Sequence, residues 1–284
     1  MSFMIRSESA GGLWLGLLSH LVCRPEHFSG PRGFRTQEAL NVHLELVYPH
    51  QNIFVHPVRN LQYRFMVAEW LWIWFGHEDV DSISKYNRHI KQFSDDGTIF
   101  TGAYGPRIRA QWPTLLEVLN QDSESRQGVV VIFDRIIRSK DVPCTLTMQF
   151  LVREGRLNAI VNMRSSDIWL GLPYDIFNFT MIMLTLAGTF GLDVGRFHMN
   201  LGSSHLYQRD LELAERVLED PVTRDVASPR RLTEEPPAEL EKALISDDEI
   251  FIIERPWSHY ARVLRSWTNK HALEALYELE TYAR

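Results

Sequence analysis

The sequence predicts an α+β fold built around a large, mostly antiparallel or mixed β-sheet. Hydrophobic residues make up 45% and charged residues 23% of the 284 residues, so the chain can bury a sizeable core. Strand-like segments are concentrated in the middle of the chain, and helical segments occur on both sides without a regular β-α-β alternation. We therefore expect a single domain over residues 1–284.

The N-terminal half mixes helical and strand patterns. Residues 1–23 predict a helix, and the Gly- and Pro-containing residues 29–33 predict a loop. Residues 40–48 alternate apolar and polar side chains, which is the period of a half-buried strand. Three further helices are predicted, at residues 62–75, which contain Trp70, Trp72 and Trp74, at residues 79–93 and at residues 113–119.

The second half begins with strands. Residues 129–133 have the sequence Val-Val-Val-Ile-Phe, and residues 146–152 and 157–163 flank a hairpin-like Arg-Glu-Gly-Arg connection. Residues 175–190 predict a buried core helix, because the run is interrupted by Asn178 and is shorter than the ~20 residues that cross a bilayer. The remaining predictions are a strand that reaches Asn200, a helix at residues 206–218 and a surface loop at residues 222–237.

Charge and cysteine content limit the possible functions. The 30 Lys+Arg and 36 Asp+Glu residues give a net charge of −6, which argues against a protein that coats nucleic acid. A small phosphorylated ligand held by a few arginines remains compatible with this charge. The two cysteines, Cys23 and Cys144, exclude a disulfide framework and argue against a cysteine-based metal cluster. We expect a cytoplasmic protein without a signal peptide or a membrane segment.

Taken singly, the residues that could carry chemistry are ordinary. Cys144 follows Pro143 at the start of a predicted strand, where a cysteine is typically a small buried hydrophobe. A nucleophilic cysteine needs a nearby positive charge, which Arg164 on the adjacent hairpin strand could supply. Asp175 at the start of a predicted helix is typical of an N-cap.

The order and spacing of these residues together resemble the thymidylate synthase family. The resemblance extends from about Arg32 to His205 and beyond, and it is densest from Cys144 to Tyr207. There the chain presents, in the family's order, Pro-Cys, a Gln-Phe strand, Arg-Ser-x-Asp, Leu-Gly-x-Pro and His-x-Tyr. The resemblance implies the thymidylate synthase fold, with sheets packed at a homodimer interface. It also implies a pyrimidine nucleoside monophosphate as substrate and 5,10-methylenetetrahydrofolate as co-substrate, with no metal.

The resemblance assigns catalytic roles to three side chains. Cys144 matches the nucleophile that adds to C6 of the pyrimidine and turns C5 into a carbon nucleophile. Glu69, in a Glu-x-x-Trp-like helix pattern, matches the glutamate that organises water and proton transfer. Tyr104 matches the tyrosine that assists proton removal from C5.

The resemblance also assigns binding roles. Arg164 and Ser165 match phosphate ligands beside the cysteine, Arg32 matches a mobile-loop arginine, and Arg126 matches an arginine that reaches the phosphate from the other subunit. The folate-binding positions are Asp167 and Gly171, and the positions that hold the sugar hydroxyl are His205 and Tyr207. Independently of the resemblance, several arginines suit a nucleotide phosphate, and the same cations lower the pKa of a nearby thiol.

Asp175 is the most informative departure from the family pattern, because the synthases carry Asn there to read the edge of the base. Uracil presents an N3–H donor and an O4 acceptor, which an amide complements. Cytosine presents an N3 acceptor and an amino donor, which a protonated carboxylic acid complements, and burial raises the pKa of an acid in the required direction. Asp175 therefore favours cytosine, as in the phage deoxycytidylate hydroxymethylases of the family.

Other departures concern the fate of the transferred carbon. Thr145 replaces the usual His, no Trp occurs between Gly76 and Tyr104, and the chain ends in residues 280–284 rather than in the apolar tail of a synthase. A wetter site favours capture of the transferred carbon by water over hydride transfer. One departure weakens the phosphate site, because Gln127 follows Arg126 where the family has paired arginines.

The sequence therefore predicts a folate-dependent CMP or dCMP hydroxymethylase. An alternative within the family is a thymidylate synthase or dUMP hydroxymethylase, and an alternative from another class is a non-catalytic nucleotide-binding relative. The choice between ribose and deoxyribose stays open, and with it the choice between nucleoside-antibiotic biosynthesis and phage DNA modification in a host cytoplasm.

Overall fold

The computed structural model describes residues 3–135, 138–230, 232–246 and 255–279. Its strands are β1 (Phe3–Ser7), β2 (His27–Ser29), β3 (Thr36–Leu46), β4 (Ile53–Val55), β5 (Val129–Val131), β6 (Thr145–Arg153), β7 (Arg156–Met163), β8 (Ser166–Asp167), β9 (Asp193–Tyr207) and β10 (Arg224–Val226). Its α-helices are α1 (Ala10–Cys23), α2 (Tyr63–Trp74), α3 (Val80–Ser84), α4 (Tyr104–Gln121), α5 (Leu172–Thr189), α6 (Leu211–Glu219), α7 (Ala238–Ile245), α8 (Trp257–Leu264) and α9 (Asn269–Leu279).

An eight-stranded mixed sheet organises the fold, with the order β1-β3-β9-β7-β6-β5 and with β2 and β8 added beside β3 and β9. The long strand β9 is antiparallel to β3 and parallel to both β7 and β8. Strands β6 and β7 form the antiparallel hairpin that the sequence predicts, closed at Arg153 and Arg156. The predicted α+β class with a large mixed sheet is confirmed.

One face of the sheet is apolar and lies under helices α1 and α5, which both contact β3 or β9. Alternation along paired strands produces this face: Val42 and Leu44 of β3 lie opposite Leu201 and Met199 of β9, and all four are buried. Helix α2 packs on α5 as a further layer. The chain therefore places α5 between the sheet and α2, where nearly all of its side chains are buried.

The opposite face of the sheet carries a polar ladder across four strands. His43 Nδ1 lies 2.7 Å from Asn200 Oδ1, and His43 Nε2 lies 3.3 Å from His198 Nδ1. Asn200 donates to Asn162 over 2.9 Å, and Asn162 donates to Thr147 over 2.9 Å. These side chains are only half-buried in the single chain.

The tryptophans of α2 form the second half of the core. Trp70 packs edge-on against Phe177 of α5 and Tyr260 of α8, with ring centroids 6.1 and 5.0 Å apart. Trp74 packs edge-on against Trp112 of α4 at 5.0 Å. Within the described ranges, no helix is both long enough and apolar enough to cross a bilayer.

Several predicted boundaries are wrong. Residues 1–23 are not one helix: β1 pairs with β3, and Ser9 then caps α1 by accepting from the Gly12 amide. The predicted helix at 79–93 is divided into α3 and a short 3-10 segment, Arg88–Phe93. The helix predicted at 206–218 begins only at Leu211, five residues later than predicted, because Leu206 still pairs with β3.

The predicted surface loop at 222–237 is also partly wrong. Strand β10 lies within it and pairs with β4, and Val226 and Ser228 are fully buried. The Ser228 hydroxyl donates to the buried side chain of Asn52 over 2.8 Å. Proline and charge content hid these contacts, since they depend on residues far away in sequence. The predicted departure at the C-terminal residues 280–284 lies outside the described residues.

Position 188, near the end of α5, requires glycine because another segment of the chain passes close to it. A Cβ atom added there would lie 1.4 Å from the Leu232 carbonyl oxygen. We expect Gly188→Ala to destabilise the protein by about 3 kcal/mol or more, because helix and backbone must separate. Gly155→Ala in the β6–β7 turn is the control, since only its positive φ of 71° opposes the substitution, at a cost of about 1 kcal/mol. Urea unfolding measures both, and equal losses would contradict this expectation.

Candidate active site

Arg164 holds the backbone around Cys144. Its amide donates to the Cys144 carbonyl over 2.9 Å, and its guanidinium donates to the carbonyls of Pro143 and Val142, each over 2.9 Å. Nη2 of the same guanidinium lies 3.8 Å from the Cys144 Sγ. The β6–β7 hairpin produces this contact, because it brings the end of β7 beside the start of β6. The predicted proximity of Arg164 to Cys144 is confirmed.

The Cys144 thiol is nevertheless protonated in the free protein. Burial raises its pKa above the ordinary value, and the negative charges of Asp175 and Asp141 act in the same direction. The positive charges of Arg164 and Arg32 oppose burial without overcoming it. The two cations lower the thiol pKa as expected, but the net shift is upward because desolvation is the larger effect.

Tyr104 begins α4 and stacks on Phe179 of α5, with ring centroids 6.1 Å apart. Burial raises the pKa of its phenol well above the ordinary value, and the nearby Cys144 and Asp175 raise it further. These electrostatic couplings place Tyr104, Cys144 and Asp175 around one site. The phenol is neutral and can exchange protons as a hydroxyl group.

Two groups of hydrogen bonds that the sequence did not reveal join the segment before Tyr104 to the segment before Cys144. The Asp141 carboxylate accepts from the Gly102 amide over 2.6 Å. Asp95 accepts from the Ser139 hydroxyl over 2.5 Å and from the Lys140 amide over 2.9 Å. A loop aspartate facing a Gly amide about 40 residues away has no local sequence signature. These hydrogen bonds fix the position of the Tyr104 phenol relative to the Cys144 thiol.

Glu69 of α2 faces Asn178 of α5 across the contact between the two helices. Asn178 Nδ2 donates to Glu69 Oε2 over 2.8 Å. Burial raises the pKa of Glu69 to about 7, although the Asn178 hydrogen bond favours the anion. Glu69 can therefore release and accept protons near neutral pH, as a group that organises proton transfer must.

Glu69→Gln should make the protein more stable than wild type at pH 8, by about 3 kcal/mol. The folded state resists ionisation of Glu69, so wild-type stability falls relative to the variant as the pH rises from about 4.5 to about 7. Below that range the two proteins should be equally stable. Urea unfolding between pH 4 and 8 tests this, with the exposed Glu215→Gln as control. A difference that does not vary with pH would contradict the assignment.

Asp175 lies inside α5 and does not cap it. The helix begins at Leu172 with Gly171 at the N-cap, and the Asp175 amide donates to the Gly171 carbonyl over 3.0 Å. The predicted start of this helix at residue 175 is therefore three residues late, and the helix-cap interpretation of Asp175 is wrong. Burial raises the pKa of its carboxyl well above the ordinary value, and the charges of Glu69 and Asp167 raise it further. These effects favour the neutral form of the Asp175 carboxyl.

Asp167 and Gly171 form the turn that leads into α5. Asp167 Oδ1 accepts from the amides of Trp169 and Leu170, each over 2.9 Å, and the Gly171 amide donates to the Asp167 carbonyl over 2.9 Å. One carboxylate oxygen of Asp167 is therefore engaged in local structure. The second oxygen has no recorded partner among the described residues.

Arg59 is a buried cation beside this turn that the sequence did not single out. Its guanidinium lies 5.3 Å from the centre of the Trp169 ring and 5.8 Å from that of Tyr174. Its Nε is buried and has no acceptor among the described residues. A buried cation with a free donor is suited to an anionic ligand.

The residues predicted to bind the sugar lie on β9, and those predicted to bind the phosphate lie on other segments of the chain. His205 and Tyr207 lie together on β9 with perpendicular rings 5.1 Å apart, and His205 pairs in register with Asp167 of β8. Arg32 is exposed, with φ at +55°, and its charge acts on both Cys144 and His205. Ser165 follows Arg164 and is half-buried.

Arg126 is not brought to this site within the chain. It is exposed before β5, and its carbonyl accepts from the Gln149 side chain over 3.0 Å. No recorded contact of the described residues joins Arg126 to Cys144. Over the same residues, no cluster of three or more His, Cys, Asp or Glu side chains is arranged to hold a metal ion.

The sequence is similar to proteins of known type. The family model described as thymidylate synthase matches residues 15–247. A deoxyuridylate hydroxymethyltransferase of Bacillus phage SP01 is 31% identical over 219 residues, which cover 70% of this chain and 57% of that protein. The deoxyuridylate hydroxymethyltransferase of Pseudomonas phage M6 is 27% identical over 205 residues, covering 68% of this chain and 58% of that protein. Thymidylate synthase 1 of Bacillus amyloliquefaciens is 26% identical over 181 residues, covering 58% of this chain and 78% of that protein.

The chain spans less than two thirds of the length of the two phage relatives. The family match nevertheless covers most of the chain and every predicted site residue from Arg32 to Tyr207. Enzymes of this family use methylenetetrahydrofolate as co-substrate. The chain belongs to the thymidylate synthase family.

Proposed function

We propose that this protein is a folate-dependent hydroxymethyltransferase that acts on C5 of CMP or dCMP. The observation that carries the proposal is Asp175, a half-buried acid in the first turn of α5 whose carboxyl is not used to cap the helix. Its raised pKa favours the protonated form. A protonated carboxyl whose O–H faces N3 donates to N3 of cytosine and accepts from the amino group, and in that orientation N3–H of uracil would face a donor.

Cys144 supplies the nucleophile in this proposal. Its sulfur adds to C6 of the base, and the thiol proton must leave because the thiol is neutral in the free chain. Arg164, 3.8 Å from the sulfur, stabilises the thiolate as it forms. Tyr104 assists removal of the C5 proton, and Glu69, with a pKa near 7, passes protons to and from the base.

The nucleotide phosphate is held by arginines in this proposal. Arg164, Arg32 and Ser165 act from the same chain, and Arg126 acts from a second copy of the protein in a homodimer. Support for the dimer comes from the exposed position of Arg126 and from the half-buried polar ladder on the sheet face opposite α1 and α5. His205 and Tyr207 hold a sugar hydroxyl.

The residues at the turn before α5 suit a folate. Asp167 has a carboxylate oxygen left for the pterin-like donor groups, Gly171 leaves room beside it, and the unpartnered Arg59 Nε suits a glutamate carboxylate. Methylenetetrahydrofolate supplies a one-carbon unit at the oxidation level of formaldehyde, which becomes bonded to C5. The free thiol of Cys144 requires reducing conditions, so we place the protein in the cytoplasm.

Water, rather than hydride, completes the reaction in this proposal. Thr145 is fully buried next to Cys144, within hydrogen-bonding reach of the Tyr104 phenol. A small polar side chain there leaves room for water, which adds to the exocyclic carbon after its bond to tetrahydrofolate has broken. The C6–S bond then breaks, which releases the Cys144 sulfur and leaves a 5-hydroxymethyl group on the restored base. The products are a 5-hydroxymethylcytidine nucleotide and tetrahydrofolate.

A second candidate function is hydroxymethylation of deoxyuridylate, because both phage relatives carry that description. It requires an oxygen of Asp175 to accept from N3–H, so that any O–H of the carboxyl faces O4 instead of N3. Thymidylate synthesis is the corresponding alternative for the bacterial relatives.

One experiment separates these functions. The protein is incubated with methylenetetrahydrofolate and, in separate reactions, with CMP, dCMP, UMP or dUMP, and the nucleotide products are identified by mass spectrometry. We expect hydroxymethylated product from a cytidine nucleotide, and competition between CMP and dCMP then decides the sugar. A methylated or hydroxymethylated uracil nucleotide as the only product would overturn the proposal.

A further inference from the structure

Asn178 is a buried polar residue of α5 to which the proposed reaction gives no role. It is only 3% exposed, and it lies one helical turn after Asp175, so both side chains occupy the same side of the helix. Its Nδ2 donates to Glu69 Oε2 over 2.8 Å. Its Oδ1 is buried and has no hydrogen-bond partner among the described residues.

The contact with Glu69 fixes which amide atom is free. Turning the amide over would place Oδ1 against a carboxylate oxygen, which is repulsive when Glu69 is ionised. The unpartnered atom is therefore an acceptor held in place by a strong hydrogen bond on the other side of the same amide. A buried acceptor without a donor costs about 1–3 kcal/mol of free energy. A ligand that brings a donor to this acceptor removes that cost.

The base in the proposed reaction brings such a donor. The amino group of cytosine has two N–H bonds, and Asp175 can accept only one of them while it donates to N3. Uracil has a carbonyl oxygen at the same position, which offers only lone pairs. An acceptor beside that position therefore favours binding of cytosine and disfavours binding of uracil.

We propose that Asn178 Oδ1 accepts the second N–H of the cytosine amino group and so acts with Asp175 in selecting the base. This proposal rests on the proposed function, since it concerns the same substrate. Glu69 takes part as the group that orients the amide, and Asp175 as the group that reads N3. Selection for cytosine is then divided between two side chains one turn apart on one helix.

Three variants of the full chain separate the acceptor from other roles of Asn178. Asn178→Ala and Asn178→Leu remove the acceptor, and the second of these preserves the side-chain volume. Asn178→Asp keeps an acceptor but removes the donor to Glu69. Thr185→Val is the matched control, because Thr185 is buried on the same helix and its hydroxyl donates to the Met181 carbonyl of that helix.

The measurement is the dissociation constant of CMP, dCMP, UMP and dUMP, taken by calorimetry with no folate present, with thermal unfolding as a check on folding. We expect the ratio that favours cytidine nucleotides to fall about tenfold in Asn178→Ala and Asn178→Leu. The ratio should stay within about threefold of wild type in Asn178→Asp and in Thr185→Val. In Asn178→Asp the pH dependence of turnover should shift, since Glu69 loses its donor.

Two outcomes would overturn the proposal, and they are distinguishable. If wild type prefers uridine nucleotides, the proposed function fails and this proposal fails with it. If wild type prefers cytidine nucleotides and neither Asn178→Ala nor Asn178→Leu changes the ratio, only the role of Asn178 is wrong, and the amide is a structural partner of Glu69. Should Asn178→Ala fail to fold, Asn178→Leu decides alone.

Discussion

Replacing Asp175 with asparagine should reverse the base preference of the enzyme. We expect kcat/KM for cytidine nucleotides to fall at least 100-fold, about 3 kcal/mol, while activity or binding with uridine nucleotides rises. Burial and the charges of Glu69 and Asp167 raise the pKa of the Asp175 carboxyl, which favours its neutral form. It can therefore donate to N3 of cytosine and accept from the amino group, whereas an amide whose carbonyl oxygen faces N3 accepts from N3–H of uracil and meets only a lone pair on N3 of cytosine.

The control for this experiment is Asp225→Asn. Asp225 on β10 is also a substantially buried carboxyl whose pKa is raised by burial, and its nearest recorded groups are Ser9 and Gly11, away from the site. Its replacement should leave the base preference unchanged. Steady-state kinetics with all four nucleotides measure both variants. An unchanged preference in Asp175→Asn would show that another group reads the base.

Cys144→Ala should abolish turnover, with a loss of at least about 10⁴-fold, while nucleotide binding changes by only a few-fold. The sulfur is the atom proposed to bond C6, whereas the phosphate and the base edge are held by other side chains. Exchange of the C5 hydrogen with solvent should also disappear, because that exchange requires the covalent adduct. Tritium release from a [5-³H]-labelled nucleotide measures it without any folate.

Cys23→Ala is the matched control for the cysteine experiment. Cys23 is a free, exposed cysteine at the end of α1, and its removal should leave turnover and exchange intact. Exchange that persists in Cys144→Ala would exclude Cys144 as the nucleophile. A wild-type protein that binds nucleotide but shows no exchange would instead favour the non-catalytic alternative.

Local patterns were sufficient to predict the sheet and its central helix. The hairpin of β6 and β7 and the buried helix α5 follow from alternation and from a long apolar run broken mainly by Asn178. Helix α1 was predicted without β1, because Phe3–Ser7 becomes a strand only by pairing with β3, whose residues come about 40 positions later. The same reason explains β10, which pairs with β4 from far earlier in the chain.

Within the site, residue order predicted which side chains lie close together. Their pKa values depend on burial, which residue order does not show. The closeness of Arg164 to Cys144 could be predicted from the hairpin, whereas the raised thiol pKa could not, because it depends on how deeply Sγ is buried. Asn178 and Arg59 were missed, since neither a single amide in an apolar helix nor a single arginine in residues 56–62 forms a motif. Only packing shows that Asn178 donates to Glu69 and that the Arg59 guanidinium lies over Trp169.

The central position of β9 also has a consequence for how the chain folds. Thr36 of β3 pairs with Tyr207 of β9 across about 170 residues, and β9 is also the parallel partner of β7 and β8. Pairings between such distant segments form late and slowly, because loop closure must come before any stabilising contact. During synthesis, β3 and the β6–β7 hairpin must therefore wait with open edges until β9 has been made. This interval is when the chain is most exposed to aggregation, and when lower temperature or a chaperone should most improve its yield.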